Sequence, residues 1–214
     1  MFGLFKGRKS NQGSSVPAML NVTIGRAVEV ERLAYEFWPD DCLVELSSPT
    51  LEIVAQGQCN LGEGAYLHRF YPNNDSCLLQ MQGGDGVDDT TVEEIVLWTY
   101  LDVQYPSSDS DWSQIGEAMR QTKFTIPKHG VSYDRVWFDG STGPEDPITY
   151  WETVHDNLSG NESRRIFQNA MLFGRELTDG GDEMLLVNME EPEDGDRCVS
   201  YMVGRSLTQY QIRA

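Results

Sequence analysis

The sequence predicts an α+β fold that is β-rich, with mainly antiparallel sheets in a sandwich or barrel-like arrangement and one or two helices. Three observations lead to this prediction. Apolar and polar side chains alternate through residues 51–61, with the period of a strand that buries one face. Turn-forming residues recur every 8 to 15 positions along most of the chain. Residues 112–121 carry the clearest helical pattern.

The first part of the chain divides into a tail and the start of a folded body. Residues 1–17 combine an apolar and basic start with a polar Gly/Ser-rich stretch, which is typical of a flexible tail and linker. Residues 18–214 are predicted to form one acidic β-rich domain, with a weaker alternative boundary near residue 109. Residues 24–37 fit either a short helix or a strand. Strands are predicted at 51–61, 65–71, 77–82 and 92–105, separated by the turn Pro-Asn-Asn-Asp and the Gly-rich loop 83–89.

The second part is predicted to begin with a helix and continue as a meander of strands. Asp111 and Gln114 are spaced like a capping box at the start of helix 112–121. Residues 163–173 are ambiguous, because their apolar side chains also fit one face of a helix. The sequence Thr-Asp-Gly-Gly after residue 177 indicates a hairpin. Strands are predicted at 123–126, 131–138, 148–156, 170–177, 183–189 and 197–204.

The negative charge of the chain limits the classes of molecule that it is expected to bind. The net charge of the chain is −18, and residues 33–119 contain sixteen carboxylates against one basic side chain, Arg69. Such a surface repels nucleic acid and anionic lipid and attracts basic proteins. We therefore expect no nucleic-acid binding, and we interpret the acidic region as a docking surface for a basic protein partner. The residues chosen as partner contacts are Asp85, Asp88, Asp89, Glu93 and Glu94.

The amino-terminal segment is the one place where the sequence allows contact with a membrane. It is not a secretory signal, because its charges follow the apolar residues and the apolar run is short. No apolar stretch approaches the roughly 20 residues that a membrane-spanning helix needs, so contact is at most peripheral. The alternative is a disordered tail. The residues predicted to meet the headgroups and anionic lipid are Phe2, Leu4, Phe5, Lys6, Arg8 and Lys9.

Four cysteines lack metal-binding spacing and are too sparse for a disulfide scaffold. They are expected to be reduced thiols in a cytoplasmic protein, which places the chain in the cytoplasm or at the inner face of the membrane. The P-loop, the dinucleotide fingerprint, the zinc-protease helix motif and the EF-hand loop are all absent. No catalytic residue, metal or cofactor is therefore predicted.

Two alternatives to an adaptor remain open. Aromatic and charged residues on neighbouring predicted strands fit a groove for a small molecule or a carbohydrate, although aromatic strands are commonly core. The residues of that groove are Tyr133, Arg135, Trp137, Trp151 and Glu152. An enzyme built from carboxylates and one of His68, His129 and His155 is the other alternative, although histidines within strands are more often structural.

The overall layout resembles the YjfK-like family of bacterial proteins of unknown function. The resemblance lies in the start MFGLFKGRK, the acidic β-rich body, and the late segments YDRVWFDG and AMLFGRELTDGGDEMLLV. It implies no activity and no catalytic residue. Members tend to be encoded beside small membrane proteins and a membrane-remodelling protein similar to phage-shock protein A. The resemblance thus implies a role in envelope maintenance or membrane stress, and it makes the membrane-remodelling protein a candidate for the basic partner that the acidic surface predicts.

Overall fold

A computed structural model describes residues 16–83, 92–138, 140–161 and 163–214. The predicted contacts at residues 1–9 and at Asp85, Asp88 and Asp89 lie outside these residues. The elements are β1 (Ala27–Val30), β2 (Thr50–Gly62), β3 (Ala65–Pro72), β4 (Cys77–Gly83), β5 (Val92–Gln104), α1 (Asp109–Met119), β6 (Lys123–Thr125), β7 (Ser132–Arg135), β8 (Ile148–His155), β9 (Ser163–Glu176), β10 (Asp182–Pro192), β11 (Cys198–Leu207) and β12 (Ile212–Arg213). The predicted β-rich α+β class is confirmed.

Eight antiparallel strands close into a barrel. Hydrogen-bonded neighbours follow the order β2-β3-β4-β5-β11-β10-β9, and β8 pairs with both β9 and β2 to complete the circle. Beyond the ends of β8, the free edge of β2 pairs with β1 and that of β9 pairs with β7. Strands from before and after residue 109 therefore share one sheet. Eight strands leave an interior just wide enough for side chains or one small ligand.

Strand β2 contributes side chains to two apolar clusters, one outside the barrel and one inside it. A register irregularity lies between Ile53 and Ala55 in its pairing with β3. A bulge shifts the side chains that follow it to the opposite face. Ile53 therefore packs in a cluster outside the barrel, whereas Cys59 packs inside it. The alternation predicted for residues 51–61 is present, but it does not keep one buried face throughout.

Two apolar clusters cover the outside of the barrel wall. One joins β2 to β5 with the segment that precedes them, through buried residues such as Met19 and Val28. The other joins β9, β10 and β11 with α1 and with β6 and β7, through residues such as Met119 and Phe173. The chain before β2 and the helix thus lie on the barrel as external cover. This arrangement explains why most barrel strands bury both faces.

Helix α1 begins earlier than the sequence predicted. Ser108 is its N-cap, with extended backbone (φ −144°, ψ 159°), and its hydroxyl accepts a hydrogen bond from the Asp111 backbone N–H. Asp109 and Asp111 therefore lie inside the first turn, where carboxylates interact favourably with the helix dipole. The predicted capping box of Asp111 and Gln114 is wrong, because a serine three residues earlier already satisfies that N–H.

Three other predictions of local structure need adjustment. The ambiguous segment 24–37 contains strand β1 and a single 3₁₀ turn at Arg32–Ala34. The ambiguous segment 163–173 belongs to β9, where pairing with both β8 and β10 outweighs its helical pattern. Strand β7 spans only Ser132–Arg135, although 131–138 was predicted. The remaining predicted strands are confirmed to within a few residues.

Candidate functional site

The surface of the molecule carries more carboxylates than its basic residues can pair. Thirteen lysines and arginines belong to the described residues, and eleven of them form ion pairs there. Of the other two, Arg135 donates to three backbone carbonyls. The uncompensated charge of the described surface is therefore negative.

This excess is dense in the segment from Glu29 to Glu45, called here the 29–45 segment. It contains six carboxylates and one basic residue, Arg32, which gives a net charge of −5. Glu29, Asp40 and Glu45 are exposed and have no ion-pair partner among the described residues. An exposed charge cluster of one sign raises the local concentration of oppositely charged partners.

The 29–45 segment also exposes large apolar side chains. Leu33 is 75% exposed and Phe37 is 74% exposed, while their neighbours Ala34, Tyr35 and Trp38 pack inward on the outer cluster of the barrel. One side of the segment therefore belongs to the core and the other presents apolar groups among carboxylates. Single exposed apolar residues are ordinary. Here, however, two large apolar side chains four residues apart lie on the same segment as unpaired carboxylates, so the segment exposes both apolar and acidic groups.

The end of this segment is fixed to the barrel by hydrogen bonds. The backbone N–H and the hydroxyl of Thr178 donate to the Asp41 carboxylate, and the Arg175 guanidinium donates to the Asp41 carbonyl. The Leu43 N–H donates to the buried carboxylate of Glu183, which also accepts from Arg175. The segment is therefore anchored at residues 41–43, so its outward groups are held on a rigid support.

Glu93 and Glu94, the described members of the predicted partner contacts, lie at the start of β5 and are exposed. Glu94 also lies at the mouth of the barrel, where it is part of the lining of an internal cavity and accepts a hydrogen bond of 3.5 Å from the Ser206 hydroxyl. These two carboxylates are thus on the described acidic surface but on a different element from the 29–45 segment.

A buried ion pair lies inside the barrel. Arg69 on β3 donates to Glu152 on β8 at 2.8 Å and to the Tyr150 hydroxyl at 2.8 Å. The side chains of Arg69 and Glu152 are 2% and 0% exposed. Glycine at position 57 of β2 makes room, because a Cβ there would lie 1.8 Å from a Glu152 oxygen. Opposite charges in such a site are tolerated when each is paired and fully hydrogen-bonded.

A chain of polar side chains continues from this pair around the barrel interior. Glu152 accepts from the Tyr71 hydroxyl at 2.6 Å and from the Gln168 amide at 2.8 Å. The Asn188 amide in turn donates to Gln168 and to Glu190. Burial raises the pKa of Glu190 above its ordinary value, although hydrogen bonds from neighbours oppose the shift. Strands from both halves of the chain are thereby tied together inside the barrel.

Above this network the barrel holds a cavity of about 90 Å³. Its walls are apolar side chains from six strands, and its polar lining includes Arg69, Gln80 and Trp98. Trp98 is 2% exposed, and its indole N–H has no hydrogen-bond partner among the described residues. Leu61 and Ile148 lie at the rim and are 40% and 37% exposed. The cavity is therefore a small apolar space with a few converging polar groups.

The five residues of the predicted aromatic groove lie in three places. Trp137 lines the internal cavity, and Glu152 lies in the network below it. Trp151 is on the outward face of β8, where it packs against Phe167 and under the Arg165 guanidinium. Tyr133 donates to the buried Glu183, and Arg135 holds the backbone of the loop after β7. The structure thus separates the two tryptophans by the barrel wall.

The three histidines lie on different elements. His68 is buried, and its ring lies over that of Tyr66 with centroids 6.4 Å apart. Burial lowers its pKa. His129 is exposed in a loop, and His155 ends β8. In the described part of the chain, no group of three or more His, Cys, Asp or Glu side chains is arranged to hold a metal ion.

Sequence reasoning missed most of the barrel interior, namely Arg69, Tyr150, Gln80, Gln168, Asn188 and Trp98. One signal was available. Arg69 is the only basic residue in 87 positions and it lies inside a strand pattern. A lone arginine in an apolar strand points to a buried carboxylate partner. The identity of that partner depends on barrel closure, which the sequence did not reveal.

The comparisons with known proteins give a family but no activity. No helix among the described residues is long and apolar enough to cross a membrane. Neither the curated proteins nor the solved structures gave a match to this chain. The model of a family of proteins of unknown function, DUF2491, matches residues 1–213. The chain therefore belongs to the DUF2491 family.

Proposed function

We propose that this protein is a non-enzymatic adaptor that docks a basic amphipathic helix of a partner protein on its 29–45 segment. The observation that carries the proposal is the coincidence of unpaired carboxylates with two exposed apolar side chains on one anchored segment. An amphipathic helix binds through apolar anchors spaced at three or four residues, with charges along its edges. Leu33 and Phe37 would receive the anchors, and the carboxylates would receive the lysines or arginines.

Charge complementarity supports a basic occupant over other classes. Nucleic acid and anionic lipid would be repelled by a surface of net charge −18. A basic helix would be drawn to it, because complementary charges accelerate encounter and suppress wrong partners. Because Glu29, Asp40 and Glu45 have no ion-pair partner among the described residues, docking on them would not need to break an existing ion pair.

We extend the proposal to a process on the strength of the resemblance to the YjfK-like family. The partner would be a membrane-remodelling protein similar to phage-shock protein A, and the process envelope maintenance or membrane stress. The protein would act in the cytoplasm or at the inner face of the membrane. Phe2, Leu4, Phe5, Lys6, Arg8 and Lys9 would supply its peripheral membrane contact. Asp85, Asp88 and Asp89 would add to the docking charge.

The test uses a synthetic amphipathic helix of leucine and lysine, about 18 residues or five turns long, with binding followed by calorimetry. The first variant carries Glu29→Lys, Asp40→Lys and Glu45→Lys, which replace the three exposed carboxylates of the segment that have no ion-pair partner among the described residues. Its matched control carries Glu193→Lys, Asp194→Lys and Asp196→Lys, which change the net charge equally on a different loop. We expect the first variant to weaken binding about tenfold or more and the control to weaken it by no more than about twofold.

Apolar anchoring is tested separately with Leu33→Ser combined with Phe37→Ser. The control is Tyr105→Ser, since Tyr105 is also an exposed aromatic residue (68%) but lies after β5. Loss of affinity only in the first variant is the expected result. If both charge variants weaken binding equally, the attraction is non-specific and the proposed site is wrong. If neither charge variant nor the apolar variant weakens it, the adaptor proposal itself fails.

A further inference from the structure

We propose that the internal cavity of the barrel binds a small neutral organic molecule that carries a hydrogen-bond acceptor, such as an amide, a ketone or an alcohol. This site is separate from the docking surface and does not depend on it. The cavity lies inside the barrel, between apolar walls such as Leu67, Val96 and Leu186 and a floor formed by Arg69. It joins an apolar space to a few converging polar groups, which is the usual composition of a ligand site.

The unpartnered indole of Trp98 indicates an acceptor. Its N–H can only donate, and it is buried without a hydrogen-bond partner among the described residues. Buried donors in folded proteins are almost always satisfied, so one that is left over has a specific cause. Position 204 is glycine, and a Cβ there would lie 2.4 Å from the indole ring. The ring is thus held in place by close packing, and an acceptor in the cavity would complete its bonding.

The charges around the cavity favour a neutral ligand. Arg69 is already paired with Glu152 at 2.8 Å, so its positive charge is neutralised before any ligand enters. An anion would compete with that carboxylate and would pass Glu94 at the rim. A cation would lose its hydration on entering, and the Trp98 N–H, which has no partner among the described residues, could only donate toward it. A neutral molecule with a hydrogen-bond acceptor avoids both the repulsion that an anion meets and the loss of hydration that a cation meets.

The size of the cavity limits the class of ligand. The cavity of about 90 Å³ is small for a ligand site. Pockets for drug-sized ligands measure roughly 300–1,000 Å³, so sugars, nucleotides and most cofactors are too large. The ligand, or the part of it that enters past Leu61 and Ile148, has only a few heavy atoms.

The experiment titrates the full chain with three molecules of nearly equal size, namely propionamide, propionate and propylammonium. Binding is followed by the ¹H–¹⁵N resonance of the Trp98 indole, which Trp98→Phe identifies. We expect propionamide to shift this resonance saturably with millimolar affinity, as suits a very small ligand. Propionate and propylammonium should bind at least about tenfold more weakly.

Leu67→Phe is designed to fill the cavity, and Leu158→Phe is the matched control on an exposed site (41%). Loss of the propionamide shift in the first variant alone supports the proposal, provided that the rest of the spectrum shows the native fold. If Leu67→Phe does not fold, Leu186→Phe takes its place. Absence of a saturable shift, a shift that survives in the filled variant, or a preference for a charged molecule would overturn the proposal.

Discussion

The buried pair of Arg69 and Glu152 is the strongest local constraint in the barrel interior. Both side chains have lost their water, and their remaining hydrogen-bonding capacity is used by Gln80, Tyr71, Tyr150 and Gln168. Removing one partner leaves the other charge buried and unpaired, which costs more than the pair itself contributes. The network therefore specifies which strands meet, in addition to any stability it adds.

Replacing one member of this pair should be far more damaging than breaking a surface pair. We expect Arg69→Met or Glu152→Gln to lower the free energy of unfolding by about 3–5 kcal/mol, and the double variant to lose less than the sum. Urea unfolding measures all three. Arg164→Met is the control, because its pair with Asp156 is half exposed and is worth at most about 1 kcal/mol. Equal losses for the buried and exposed variants would contradict the account.

His68 gives the molecule a pH dependence that can be isolated. Burial lowers its pKa below the ordinary value of 6.5, so the unfolded chain binds a proton at mildly acidic pH before the folded chain does. Stability is therefore fully present above pH 6.5 and is lost as the pH falls toward the folded pKa. His68→Leu should remove this loss.

Thermal unfolding of the wild type and the variant between pH 7 and pH 5 tests this expectation. The advantage of the His68→Leu variant over the wild type should grow as the pH falls. Thr99→Val is the control, because it removes a buried polar group that does not titrate. A stability difference that stays constant with pH would show that His68 does not titrate as described.

At the scale of single elements, the packing of strand β11 against β5 requires a residue without a side chain at position 204. Gly204 on β11 faces Trp98 on β5, and these two residues are register partners. A Cβ at position 204 would lie 2.4 Å from Cε3 of the indole, which no relaxation of a single side chain removes easily. Gly204→Ala should therefore cost about 1–3 kcal/mol, as overpacked core sites do.

Denaturant unfolding measures the cost, and Gly143→Ala is the control, since a Cβ there meets nothing within 4 Å. The clash should also be coupled to the ring. Adding Trp98→Leu to Gly204→Ala should lose less stability than the two single losses combined. Additive losses would show that the indole is not the group that excludes a side chain at position 204.

Most strands could be predicted because each has its own apolar and polar pattern and is bounded by turn-forming residues. The pattern of residues 65–71 and the turn Pro-Asn-Asn-Asp are local features, and they appear as β3 and its turn. Closure of the barrel is different. It depends on β8 pairing with β2 nearly a hundred residues earlier, and no local pattern encodes that partner. The bulge after Ile53 also has no signature in the alternation of residues 51–61.

The candidate site could be predicted only in part, because composition is visible in the sequence whereas the direction of a side chain is not. The acidic character of residues 33–119 is a property of composition, so it was available from the sequence. The inward direction of Glu152 and the outward direction of Trp151 follow from strand alternation, but only once the interior of the barrel is known. Leu33 and Phe37 were not chosen, because exposure of an apolar residue cannot be read from its type.

At the scale of the whole molecule, the barrel carries an acidic surface outside and a hydrogen-bonded polar network inside. In the interior Arg69 is paired with Glu152, whereas exposed carboxylates such as Glu29, Asp40 and Glu45 have no ion-pair partner among the described residues. Exposed charge pairs are screened by salt over a Debye length of about 8 Å at physiological ionic strength. If a basic helix docks as proposed, it binds at the 29–45 segment and its affinity falls as the salt concentration rises.

The most direct test of that claim is to titrate the leucine-lysine helix into ¹⁵N-labelled protein and map the amide shifts at low and physiological salt. The account predicts saturable shifts concentrated in the 29–45 segment, with an affinity that falls steeply as salt rises. Shifts spread evenly over the carboxylates of the molecule, or centred on the loop at residues 193–196, would contradict it. An affinity that does not change with salt would contradict it equally.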